Sequence, residues 1–212
     1  RFSLAAVVLA VVFWRRWKDM DLRYLWQGAV LGLLLGAAYI IQLFGLMGTT
    51  PGKNAFFTAV YCVIVPFLYW AVDRKRPSRW NVLAALLSVT GIGLVSWDGG
   101  LSLALGDVLT LIAGFFLACH IIAVAKFSGG RDIFLLTILQ FAFAALYAWL
   151  CGGLTETFPL RAIADPAVLL PLGYLCVMAT TAALLFQNVG QVWSDPASAS
   201  VILSLESVFG VL

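Results

Sequence analysis

Residues 24–46 read YLWQGAVLGLLLGAAYIIQLFGL, an unbroken stretch without a single charged side chain. At 1.5 Å per residue a helix of that length reaches about 34 Å, enough to cross the roughly 30 Å hydrocarbon core of a bilayer. Lipid offers the backbone no hydrogen-bond partner, so a spanning segment must satisfy itself as a helix or close into a barrel. Barrel strands alternate apolar and polar positions over about ten residues, and VLGLLL at Val30–Leu35 does not alternate. The stretch is expected to be a membrane-spanning helix.

Seven further apolar runs surround it: Phe2–Trp14, Pro51–Ala71, Trp80–Trp97, Gly106–Lys126, Asp132–Gly153, Ala167–Val189 and Asp195–Leu212. The composition agrees, with 63% hydrophobic and 11% charged residues, against about 45–50% and 25% in soluble domains. The expected fold class is an all-α, polytopic membrane helix bundle. The chain opens on Arg1 and stops inside an apolar run at Leu212. Its first basic cluster follows the first run, the reverse of a signal peptide. The sequence therefore reads as an internal piece of a longer protein.

Basic residues fall on alternate loops. Arg15, Arg16, Lys18 and Arg23 follow the first run, Arg74, Lys75, Arg76 and Arg79 the third, and Lys126 and Arg131 the fifth. The intervening loops hold only Lys53 and Arg161. Positive loops stay cytoplasmic, so these three face the cytoplasm. A net charge of +3 gives no reason to expect a nucleic-acid partner. All eight tryptophans, Trp14, Trp17, Trp26, Trp70, Trp80, Trp97, Trp149 and Trp193, lie near run ends, where amphipathic rings prefer the headgroup layer.

Catalytic signatures are missing. Phosphate-binding glycine loops, HExxH and GxSxG do not occur, and Asp98-Gly99-Gly100 reads as a plain turn. Cys62, Cys119, Cys151 and Cys176 sit in or at the ends of apolar runs and read as small buried hydrophobes. Neither a metal site nor a cofactor is expected, and the chain does not read as an enzyme.

An offset of 145 residues superimposes Gln42 on Gln187, Gly45 on Gly190, Pro51 on Pro196, Ala55 on Ser200 and Tyr61 on Glu206. This ordered set indicates an ancient duplication, with halves at 1–97 and 98–212. Five crossings separate the copies, an odd number, so they are expected to run through the bilayer in opposite senses. Inverted repeats are the architecture of alternating-access carriers. Gly28, Gly32 and Gly36 form a GxxxGxxxG row that lets a neighbouring helix approach closely. Pro66, inside the third run, is expected to kink it.

Several segments together resemble the drug/metabolite transporter superfamily, in particular its EamA-like bacterial ten-helix carriers. They are RFSLAA at 1–6, YIIQLFGL at 39–46, NAFFT at 54–58 with Pro66, GDVL at 106–109, ACHII at 118–122 and ASVILSLESVF at 199–209. The resemblance implies two five-helix inverted repeats, of which this chain holds the second through ninth helices. It also implies a multi-pass protein of the bacterial inner membrane that exports amino acids, other metabolites or drugs. Ser207 departs from the pattern, which commonly has proline there.

Six polar residues within the spans are candidates for the substrate and coupling pathway. Glu206 lies about 16 Å into its run, near midplane, where a charge costs about 2.5–3.5 kcal/mol. It is expected to handle a proton or a substrate amine. His120, the only histidine, lies about 21 Å from the outer end of its run, and the unperturbed pKa of a histidine, near 6.5, would suit proton handling or contact with a carboxylate. Gln42 and Gln187 are paired by the offset, and Asn54 and Tyr61 stand on the run after Gln42. Asp107 is expected to cap its helix. The expected partners are a small solute, lipid and protons as coupling ion. An exchanger of phosphorylated or nucleotide-linked solutes is a rival reading, but it wants two or more cations inside the bundle, and no Lys or Arg lies deep in any run. A non-transporting structural or channel subunit is a third.

Overall fold

The computed structural model describes residues 1–74, 76–95, 104–155 and 166–211. Lys75, Trp97, the Asp98-Gly99-Gly100 turn and Arg161 lie outside them. The described residues form helices and short connections, with no strand among them. The helices are α1 (Phe2–Val12), α2 (Leu22–Met47), α3 (Pro51–Ala59), α4 (Tyr61–Asp73), α5 (Arg79–Val95), α6 (Leu105–Phe127), α7 (Ile133–Thr155), α8 (Pro166–Tyr174), α9 (Ala183–Val192) and α10 (Pro196–Val211). A 3₁₀ helix, Trp14–Asp19, joins α1 to α2, and a π-helical stretch, Leu175–Ala182, joins α8 to α9. Among the described residues, five spans are long and apolar enough to cross a membrane: Leu22–Met47, Pro51–Asp73, Leu105–Phe127, Ile133–Leu154 and Ala167–Val192. This is a multi-pass, all-α membrane bundle.

Several helices start where a short polar side chain accepts from a free N-terminal amide. Asp21 Oδ1 accepts from the Tyr24 amide at 2.8 Å, Thr50 Oγ1 from Lys53 at 3.3 Å and Asp132 Oδ1 from Phe134 at 2.9 Å. Asp195 Oδ2 accepts from Ala197 and Ser198 at 3.2 and 3.4 Å. Asp107 acts from the third helical position, reaching back to the Ala104 amide at 2.9 Å. That geometry is the reciprocal half of a capping box. Thr50-Pro51 and Asp195-Pro196, superimposed by the 145-residue offset, are both a cap followed by proline in the first turn.

Two runs depart from simple helices. The third is interrupted at Val60, six residues before Pro66, and the proline sits inside α4. Its missing N–H leaves the Cys62 carbonyl without a helical donor. The seventh contains the π stretch, where Thr180 and Thr181 hydroxyls donate to carbonyls five residues back, Leu175 and Cys176, at 2.8 and 2.7 Å.

The helices form two compact units. The first comprises Arg1–Gly36 and Phe127–Gly190. Its core is Leu31, Leu35, Leu135, Leu136 and Phe141, with α1 packed on α7 and on the π stretch. The glycine row of α2 faces α7. A Cβ at Gly28 would meet Leu139 Cβ at 2.5 Å, and one at Gly32 would meet Phe143 Cβ at 2.6 Å and Gln140 O at 2.7 Å. Arg16 pairs with Asp132, and Arg131 with Asp21 at 3.1 Å, so the first and third basic loops meet. The Tyr24 amide, and after it the Arg131 guanidinium, hold the Asp21 carboxyl below its usual pKa.

The second unit comprises Ala37–Lys126 and Gln191–Leu212. Tyr61, Cys62, Val65, Ala85, Ala118, Ile121 and Ile122 form its core, and α10 packs on α3, α4 and α5. Lys126 pairs with Asp73 at 2.9 Å, which joins the ends of α4 and α6 that carry the second and third basic loops. Large apolar side chains stay on the outside, Leu154 at 88% and Trp193 at 86% exposure. Water would penalise such a surface, and lipid accepts it. No disulfide joins any of the four cysteines; Cys62 and Cys176 are buried as expected, whereas Cys119 and Cys151 are half-buried.

Candidate functional site

In the second unit, close packing brings polar side chains of α2, α3 and α6 together. A Cβ on Gly106 would lie 2.5 Å from the Gly45 carbonyl oxygen and the Gly48 carbonyl carbon, so backbone meets backbone where α2 ends and α6 begins. Farther along α6, a Cβ on Gly114 would lie 3.1 Å from the Thr58 carbonyl of α3. Gly106, Thr110, Gly114 and Ala118 thus form a small-residue row at spacing four, all buried. Rows of this kind let membrane helices touch.

Within that contact the side chains form a directed hydrogen-bond chain. Gln42 Nε2 donates to Asn54 Oδ1 at 3.3 Å and to Thr58 Oγ1 at 3.0 Å. Asn54 Nδ2 donates to Thr110 Oγ1 at 2.9 Å, and Thr110 donates to the Gly106 carbonyl at 2.8 Å. Asn54, Thr58 and Thr110 are buried, while Gln42 is half-buried and forms the approachable end. Counting residues from the starts of α3 and α6 and the end of α2, the chain lies about 5–10 Å inside the helix ends. Thr49 donates to Asp107 beside it, which ties the α2–α3 turn to α6.

Helix α10 reaches the same neighbourhood. Ser207 Oγ donates to the Ala55 carbonyl, next to Asn54, at 3.0 Å. Proline at this position would supply no donor, so the departure noted in the sequence creates an interhelical bond. Glu206, one residue earlier, is exposed on α10, and Tyr61 is buried on α4. Gln42 and Asn54 are therefore in direct contact, with Tyr61 and Glu206 on the adjoining helices α4 and α10, which pack on each other.

The other two sequence candidates stand apart from this chain. His120 is buried on α6, ten residues beyond Thr110 and so about 15 Å along the axis. Gln187 is half-buried on α9 in the first unit. There the buried amide is its neighbour Asn188, which donates to Thr137 Oγ1 at 3.1 Å. Among the described residues no group of three or more His, Cys, Asp or Glu is placed to hold a metal.

The sequence profile of the EamA-like transporter family matches residues 1–97. An "Uncharacterized transporter" of Archaeoglobus fulgidus is 29% identical over the whole chain. The chain's first 97 residues are those of an EamA-like transporter. The chain spans 65% of the length of that archaeal relative. A shorter relative, a "UPF0060 membrane protein" of Acidovorax, is 36% identical over 84 residues, covering 36% of this chain and 80% of its own. A solved crystal structure superimposes with a TM-score of 0.78 over 99% of this chain and 73% of its own, at 17% identity, and so speaks for the fold alone.

Thr58 and Thr110 are site residues that the sequence reading passed over. The signal for Thr110 was its place midway between Gly106 and Gly114, where a hydroxyl is carried into a helix contact. Thr58 carried a weaker one, lying four residues after Asn54 on the same helical face.

Proposed function

We propose that this EamA-like protein is a secondary carrier that moves a small organic solute across the bacterial inner membrane by alternating access, in the direction of export. The observation that carries the reading is the Gln42–Asn54–Thr110 chain, buried except at its half-buried Gln42 end, with Glu206 on α10 next to the Ser207–Ala55 bond. Hydrogen bonds between membrane helices contribute only about 0.6 kcal/mol each, whereas a carboxylate at midplane costs about 2.5–3.5 kcal/mol. Stability alone gives no reason to keep Glu206, so a role in binding or coupling explains it better. In this reading the half-buried Gln42 amide orients polar groups of the solute. Glu206 takes up a proton when the solute leaves and releases it when a solute amine arrives. His120 tunes this exchange from within α6, and Gln187 is the counterpart of Gln42 in the second repeat. Residues 1–97 and 98–212 act as the two inverted repeats whose rocking exposes the site to each side in turn.

The test uses the full-length protein in proteoliposomes, preloaded in turn with radiolabelled amino acids, nucleosides and cationic drugs. Counterflow of at least one solute is expected, with a raised unfolding temperature in the presence of that solute. A protein that shows neither with any of them is not a carrier of this class.

A further inference from the structure

The 3₁₀ helix Trp14–Asp19 (WRRWKD) carries a pattern that the transport site does not use. A 3₁₀ helix has 3.0 residues per turn, so positions three apart eclipse, whereas on an α-helix they diverge by about 60°. Three faces follow. Trp14 and Trp17 share one, Arg15 and Lys18 the next, and Arg16 and Asp19 the third. Arg16 faces the protein: it pairs with Asp132, and its guanidinium stands 4.3 Å from the Phe134 ring centroid. Trp14, Arg15, Trp17 and Lys18 are exposed, and Arg15 stands 5.6 Å from the Trp14 ring centroid. The segment is held within its unit by Arg16 on Asp132 and, two residues past its end, by Asp21 on Arg131.

We propose that this segment is a binding site for the headgroup of an anionic phospholipid of the cytoplasmic leaflet. Arg15 and Lys18, about 6 Å apart along the axis, grip the phosphate. Trp14 and Trp17 lie at the boundary between headgroup and acyl chains, where indole rings settle. The periodicity argues for a lipid over a soluble anion, because the cationic face adjoins an exposed apolar one. The anchoring of Arg16 and Asp21 fixes the site before lipid arrives, which lowers the ordering cost of binding. This is independent of the transport reading.

Native mass spectrometry of the full-length protein titrated with phosphatidylglycerol or phosphatidylcholine tests it. Phosphatidylglycerol should bind more tightly, and each cation lost in R15Q/K18Q should lower its association constant about fivefold. The charge-preserving R15K/K18R should retain binding, and R74Q/R76Q, which removes equal charge from another cytoplasmic loop, should leave it unchanged. Wild-type affinity in R15Q/K18Q, or an equal loss in R74Q/R76Q, would overturn the proposal. Displacement of the lipid by soluble glycerol phosphate would also overturn it, because the site would then serve a free anion.

Discussion

Asn54 is the residue on which the polar chain turns, accepting from Gln42 and donating to Thr110. Asn54→Ala removes both bonds, and at about 0.6 kcal/mol each the loss of stability should be near 1 kcal/mol. Counterflow should fall at least tenfold, more than that loss explains; a proportionate decline would mark Asn54 as structural only. Glu206→Gln should leave thermal stability unchanged or raised, since it removes a charge from lipid depth, and should abolish the pH dependence of transport. Transport by that variant with unaltered pH dependence would remove Glu206 from the coupling role. Asp21 gives a pH prediction of opposite origin. Its folded-state pKa is depressed, so its stabilisation is complete above the ordinary carboxylate pKa and disappears as pH falls through the lowered value. Unfolding midpoints of wild type and Asp21→Asn should therefore differ at neutral pH and converge in acid. Gln42 and Asn54 could be named from sequence because polar groups in apolar runs stand out. Their pairing could not, since it depends on which helices touch.

The helices themselves were largely readable, because lipid forces long apolar runs into them. The glycine row of α2 also met expectation, and it predicts a graded response. Gly32→Ala places a Cβ 2.7 Å from a backbone oxygen of α7, whereas Gly36→Ala would find its nearest neighbour at 3.6 Å. The first should destabilise by about 1–3 kcal/mol and the second hardly at all, as read by thermal unfolding in detergent. Equal effects would mean that the α2–α7 contact is looser than the structure has it. Two element-level features escaped the sequence. The π stretch at Leu175–Ala182 leaves no periodic signature in a run apolar on every side. The break at Val60 precedes Pro66, so the proline marks a weakened run without marking where it parts.

For the whole molecule, the 145-residue offset predicts an antiparallel repeat, and its local trace is the matched cap and proline at Thr50-Pro51 and Asp195-Pro196. The compact units do not follow the halves 1–97 and 98–212, since each draws helices from both. Sequence order hides this arrangement, because inter-helix contact in lipid is decided by small-residue rows and polar pairs that lie far apart in the chain. Alternating access requires that the polar chain be reached from each side of the membrane in turn. Thr58 is buried within that chain and bonded to Gln42, which makes it the reporting position. In full-length protein with its native cysteines replaced, Thr58→Cys should react with an impermeant maleimide added to either side of sealed vesicles. The solute that drives counterflow should slow both reactions. Labelling from one side only, unchanged by that solute, would contradict alternating access through this site.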